Sequence, residues 1–291
     1  MMEALPRGAC DCHVHLFGPV ERYPLAPERV YTPGDADEAA LDALHGRLGI
    51  DRAVLVQPSP YGTDNRRLLA GLQALGSRAK AIAVAASDAT PEQLSALREA
   101  GVRGLRLNVD TYGIRDPDAI WTALQAEARR CAPLGWHVQI LTQLPVIAAL
   151  GDRLADLPAP LVIDHVGRPD LAQPVSQPGF ATLLRLVGTG RVWVKLSAIE
   201  RLCGKGQLER IVPFIKALVA AGAERLVWGS DWPHTGGGRG GRQAGEIEPF
   251  MVMDDGAALA ALAQAVDAPP TLRRILVENP AALYGFEATS A

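Results

Sequence analysis

Short runs of Val, Ile, Leu and Ala recur along the chain, and each is followed by a longer stretch where apolar residues return every three or four positions. The runs predict strands buried on both faces, and the longer stretches predict amphipathic helices. Strands are expected over Cys10–Leu16, Ala53–Gln57, Ala81–Ala85, Gly104–Asn108, His137–Leu141, Leu161–His165, Val192–Ser197 and Leu226–Ser230. Helices are expected over Asp37–Leu48, Asn65–Leu75, Pro91–Ala100, Asp118–Leu134, Pro145–Leu157, Pro178–Val187 and Gln207–Ala221, with Asp255–Ala265 and Pro270–Val277 after the last strand. Thr90 and Gln93 form a capping box around Pro91, and Gly49, Gly101, Gly135 and Gly222 stand at helix ends. Eight strands alternating with helices predict an α/β fold of the TIM-barrel kind, (β/α)₈, with residues 1–291 as one domain. The glycine-rich run Gly236–Gly241 reads as a loop, and no repeat or linker interrupts the pattern.

A barrel of this kind builds its site from the C-terminal strand ends and the loops that follow them. Strict alternation in the first strand puts Asp11, His13 and His15 on one face. Cys10, Cys12, Val14 and Leu16 take the other, where they bury against helices. Alone, this H-x-H pair favours a solvated strand edge over a site. The other strand ends add Gln57 and Ser59, Arg106 and Asn108, His165 with Arg168, Ser197 running on to Arg201, and Asp231. Three histidines, an aspartate and three arginines at one barrel mouth point to a site. His45 falls on a helix and His137 at the barrel bottom, while His234 fits a site role and a loop role equally well.

Composition narrows the setting. Twenty-nine basic residues nearly balance 32 acidic ones, and no basic stripe is present, which argues against nucleic acid as a partner. Aromatic residues make up only 5% against 48% hydrophobic overall, a core of Ala, Leu, Val and Ile that suits parallel strands under helices. No apolar run approaches the roughly 20 residues of a membrane span, and the first residues lack the apolar stretch of a signal peptide. The four scattered cysteines do not make a disulfide framework, so a cytoplasmic enzyme is expected.

The stretches CDCHVHLFGP, YPLAPERVYTP, VLVQPSPYGTDNR, AGVRGLRLN, GWHVQI, VIDHVGRPD, VKLSAIERL, WGSDWPH and VENPAALYGF carry a resemblance running from Ala9 to Phe286. Together they resemble the amidohydrolase superfamily, in the branch typified by 2-pyrone-4,6-dicarboxylate lactonases. The resemblance implies that Asp231 is the general base for water and that His13, His15 and His165 surround the carbonyl under attack. It further implies that Arg106, Arg168 and Arg201, with Tyr31 and Ser59, hold the substrate's carboxylates. Two positions depart from the branch. Tyr112 stands where a second arginine is expected, with Arg115 three residues on, and Leu141 replaces a tyrosine that would reach the substrate.

His13, His15, His165 and Asp231 also form a zinc-type donor set. The wider superfamily adds a ligand at the end of strand five, where this chain has Leu141, which favours work without a metal or other cofactor. A carboxylate base without Lewis-acid help contributes roughly 10²–10⁴-fold, which suits a lactone whose leaving oxygen is already stabilised. Guanidinium groups pair with carboxylates bidentately, so the expected partner is a small anionic lactone resembling a pyrone dicarboxylate or a muconolactone. The alternatives are a zinc-dependent hydrolase or non-oxidative decarboxylase of the same superfamily, and a sugar-lactone isomerase. The sequence sets no oligomeric state.

Overall fold

Eight parallel strands run in sequence order: β1 (Cys10–Val14), β2 (Arg52–Val56), β3 (Ala79–Ala83), β4 (Val102–Asn108), β5 (His137–Leu141), β6 (Leu161–Ile163), β7 (Val192–Ser197) and β8 (Leu226–Gly229). The computed structural model describes residues 4–238, 243 and 245–287; of the glycine-rich run, 239–241 lie outside the described residues. The sheet closes beyond β8, where Val14 bridges Trp232, the Asp231 N–H donates to the His13 carbonyl, and His15 N–H donates to the Trp232 carbonyl, both at 2.9 Å. The seam between the first and last strands therefore carries three of the expected site residues.

Parallel neighbours need a crossover, and helices supply it. They span Glu38–Leu48, Arg66–Leu75, Pro91–Glu99, Pro117–Cys131, Leu144–Leu150, Pro178–Gly188, Val212–Gly222 and Asp255–Val266. Both bonds of the Thr90–Gln93 capping box are made, and the Asp37 side chain caps its helix by accepting from Ala40 N–H. The final segment is not one helix over Pro270–Val277. It runs through Pro269–Arg273, a π turn at Arg274–Glu278 and Asn279–Tyr284, which puts the buried Tyr284 ring 5.4 Å from His137 at the barrel floor. No helix among the described residues is long and apolar enough to cross a membrane.

Outward residues such as Leu55, Ala81, Ile140, Val194 and Trp228 pack under the helices, whereas Val54, Val56, Ile82, Val162 and Val227 fill the lower barrel with Tyr284. Cys10 and Cys12 belong to this interior set, which corrects the alternation expected for β1. Asp11 faces the other way, toward His45 on the first helix, with 3.4 Å between Oδ2 and Nε2. A register shift against β2 between Asp11 and Val14 is the cause: a bulge puts consecutive residues on one face and returns His13 to the interior. The carboxylate of Asp11 stabilises this kink by accepting from the His13 and Ser230 N–H groups.

The end of the sixth strand also differs from expectation. β6 stops at Ile163, and His165, Val166 and Arg168 all take positive φ in the turn that follows. β7 ends at Ser197 as expected, and Ala198 turns at φ 54° into a short helix, Ile199–Cys203, that carries Arg201. A two-stranded ribbon of Thr32–Pro33 with Ile247–Glu248 is too short and too proline-rich for a periodic pattern to reveal.

Gly229 faces the seam, and a Cβ there would lie 2.7 Å from both the Cβ and the backbone N of His13. Gly229→Ala is expected to lower unfolding stability by about 1–3 kcal/mol through overpacking. Urea denaturation checks this, and an unchanged midpoint would show that the seam has room.

Candidate active site

Burial leaves the polar groups at the mouth with few partners besides each other. His13 is the penultimate residue of β1, His15 follows the strand, His165 sits in the turn after β6, and Asp231 lies two residues past β8 at φ 73°. All four are buried. Asp231 Oδ1 lies 3.6 Å from His13 Nε2, 3.8 Å from His15 Nε2 and 3.7 Å from His165 Nε2. Those separations exceed a hydrogen bond, so the oxygen faces a small polar space ringed by three imidazoles. The other carboxylate oxygen, Oδ2, pairs with Arg201 Nη2 at 2.7 Å.

Each imidazole is oriented from behind. His15 Nδ1 lies 2.7 Å from the Val56 carbonyl, which can only accept, so the proton is on Nδ1 and Nε2 offers a lone pair to the cavity. His165 Nδ1 meets Ser197 Oγ at 2.8 Å. His13 Nδ1 is 3.4 Å from Lys195 Nζ, and its Nε2 has no hydrogen-bond partner among the described residues. Burial holds all three neutral. It brings His15 down to about 3, helped by the Arg106 charge, and lowers His13 and His165 well below the usual value. Burial raises Asp231 above the ordinary carboxylate range, against the pull of Arg201.

The expected anion-binding residues divide into two groups. Arg106 on β4 donates to the Gln57 carbonyl at 3.1 Å and lies 3.6 Å from Asp164, while its Nε has no partner among the described residues. Tyr31 is buried with its hydroxyl 3.5 Å from Thr235 Oγ1, and burial raises its pKa. Ser59 opens the turn after β2, with its hydroxyl hydrogen-bonded to Tyr31. Arg201 reaches the Thr235 carbonyl as well as Asp231. Arg168 pairs with Asp110 Oδ2 at 2.6 Å, and Arg115 pairs with Asp110 Oδ1 at 3.1 Å. Arg115 is thus directed to Asp110. Tyr112 is largely exposed, with its hydroxyl 3.3 Å from the Ser59 carbonyl. His234 belongs elsewhere: its Nε2 meets Asp255 at 3.0 Å on the helix behind the site.

Sequence reasoning passed over Asp164, Lys195 and Asp110. Asp164 is fully buried, takes a hydrogen bond from Gln139 Nε2 and lies 3.4 Å from His13 Nδ1. Lys195 is fully buried and donates to the Cys12 carbonyl at 2.7 Å, and burial pushes its pKa down to about 8 against the attraction of Asp164. A signal was available in the strands themselves. A lysine sharing the inward parity of Trp193 and Ser197 in VWVKLS, and an aspartate sharing that of Val162 in LVID, must both have buried partners.

The donor set also fits a divalent cation by residue type and spacing. One ligand atom from each of His13, His165 and Asp231 lies within 4.8 Å of the others.

The whole barrel matches the family model described as Amidohydrolase, over residues 10–286. A 2-pyrone-4,6-dicarboxylate hydrolase of Comamonas testosteroni is 35% identical, covering 96% of this chain and 91% of that protein. A 4-sulfomuconolactone hydrolase of Rhizobium radiobacter is 34% identical, covering 97% and 91%. A solved structure from Acinetobacter baumannii, titled a probable 2-pyrone-4,6-dicarboxylic acid hydrolase with citric acid bound, superposes with a TM-score of 0.80 at 27% identity. That match covers 96% of this chain and 100% of the other.

Buried neutral histidines make stability depend on pH. His13, His15, His165 and His137, the last held at about 3 by burial and Lys195, protonate far more readily in the unfolded chain, near pH 6.5. Between about pH 6.5 and 3 the unfolded state therefore binds more protons, so stability rises with pH and is lost on acidification. The raised carboxyls of Asp231, Asp255 and Glu127 act in the opposite sense, three groups against four. The urea midpoint is expected to fall from pH 7 to pH 5, and less steeply in His137→Gln. A midpoint that held constant would contradict buried neutral imidazoles.

Proposed function

The chain belongs to the amidohydrolase family, and on that footing we propose that it is a hydrolase that opens a small, carboxylated, activated lactone. The observation that carries the reading is the free oxygen of Asp231 facing three neutral imidazoles. A site for carboxylate binding alone would not bury a further negative charge beside its ligand. The names of the relatives, one acting on a pyrone dicarboxylate and others on sulfomuconolactone, favour a dianionic ring ester.

In this reading a water sits between Asp231 Oδ1 and the lone pair of His15 Nε2. Asp231 takes its proton as the oxygen bonds to the lactone carbonyl carbon. His13 and His165 donate from Nε2 to the carbonyl oxygen as negative charge gathers there. The tetrahedral centre then collapses, the ring C–O bond breaks, and protonated Asp231 returns its proton to the leaving ring oxygen. Arg201 holds the carboxylate of Asp231 in place and, with Arg106, Arg168, Tyr31 and Ser59, receives the substrate's anionic groups. The buried, unpartnered Nε of Arg106 supports an anion subsite here. A divalent cation held by His13, His165 and Asp231 would supply a more acidic water when bound; none of the steps above is routed through one.

A panel of small carboxylated lactones, assayed with and without chelator, tests the reading. Turnover of at least one, insensitive to chelation and free of stoichiometric zinc by elemental analysis, is expected. Loss of activity with the metal would instead establish the zinc-dependent alternative. Asp231→Asn is expected to reduce kcat by about 10²–10⁴-fold with substrate affinity within a few fold; a variant retaining most of kcat would move the base elsewhere. Arg106→Met is expected to raise KM for a dianion by about 10–100-fold, the scale of a lost charge-assisted hydrogen bond. An unchanged KM would remove Arg106 from the binding set.

A further inference from the structure

Polarising a carbonyl with a neutral imidazole requires the proton on the nitrogen that faces the substrate, so the group behind the ring decides what it can do. His15 is the counter-example. Its Nδ1 proton is committed to the Val56 carbonyl, so its Nε2 can only accept. His13 faces the cavity with an unpartnered, buried Nε2, and two groups compete for its Nδ1. Lys195 Nζ stands 3.4 Å away in hydrogen-bonding geometry. Asp164 Oδ1 stands at the same distance but out of that geometry, and has no hydrogen-bond partner among the described residues.

We propose that Lys195 is a positioning residue whose ammonium donates to His13 Nδ1 and thereby fixes His13 as the Nε2–H tautomer aimed at the reacting carbonyl. The assignment of a reacting carbonyl rests on the lactone-hydrolase reading above. Lys195 is well placed for this because it has no freedom to look elsewhere. It is fully buried, one proton goes to the Cys12 carbonyl at 2.7 Å, and Asp164 at 4.0 Å balances its charge without making a hydrogen bond. Arg106, 3.6 Å from the other Asp164 oxygen, and Gln139, which donates to it, keep that carboxylate turned partly away from the ring. The same contact acts against metal binding. A cation on His13 Nε2 would need the lone pair there and the proton on Nδ1, the arrangement in which a carboxylate and not an ammonium stands behind the ring.

Nitrogen-15 NMR of histidine-labelled protein reads the tautomers without any substrate. The wild-type chain has six histidines, assigned by single substitutions. His13 is expected as Nε2–H and His15 as Nδ1–H. In Lys195→Met, His13 is expected to turn to Nδ1–H and donate to Asp164, and kcat to fall by about 10²-fold, the scale of one lost oxyanion donor, with KM little changed. Lys195→Gln keeps an N–H donor at the same place and is expected to restore the Nε2–H tautomer and most of kcat. A wild-type spectrum with His13 as Nδ1–H overturns the proposal, as does a Lys195→Met enzyme with wild-type kcat. If Lys195→Met does not fold by circular dichroism, the wild-type spectrum and Lys195→Gln decide. Absence of turnover in the wild-type protein would instead count against the lactone reading and leave the spectrum to judge Lys195.

Discussion

Inside the upper barrel no polar group can rely on bulk water, so each charge placed there must be met by another or be extinguished. The arrangement follows from that constraint. Asp164 sits among Lys195, Arg106 and Gln139, and Asp231 sits against Arg201. The imidazoles between them are kept uncharged by burial. What remains is a carboxylate oxygen with no hydrogen-bond partner among the described residues, surrounded by rings that are each contacted from behind. A base, a lone pair and proton donors can then coexist within a few ångströms without neutralising one another.

Most of the fold is legible in the sequence because parallel strands and their crossover helices differ in period, and glycine, proline and caps punctuate the changes. The eight strands, the order of the helices and the gathering of His13, His15, His165 and Asp231 all follow from that alternation. It fails where the backbone departs from regular geometry. Period-two reasoning assigns Asp11 to the histidines' face, but the bulge in β1 turns Asp11 outward and brings the cysteines in. It ends β7 at Ser197, as observed, but is blind to the bend at Ala198 into a helix that aims the Arg201 guanidinium at Asp231. Lys195 and Asp164 were visible by parity, yet their meaning lies in contacts that cross the barrel, which spacing along one strand does not encode.

The residues around Asp110 differ in kind from the cluster of Asp231 and the histidines. Asp110 draws together Arg168, Arg115 and Gln143, so the loops after β4 and β6 meet through a single carboxylate. Tyr112, exposed beside them, lies where an arginine is expected in pyrone dicarboxylate lactonases. Asp231 and the three histidines stand on or beside strand ends tied into the barrel, whereas these residues stand on longer loops. Loop residues of this kind can therefore change without disturbing the cluster that the strand ends hold.

The seam where the sheet closes is also the boundary between the earliest and latest barrel strands to leave the ribosome. His13 is made 218 residues before Asp231, and the backbone bond between them joins β1 to the end of β8. A growing polypeptide consequently displays its imidazoles long before it owns the group that would act with them. The carboxylate joins the imidazoles only with the closing of the ring.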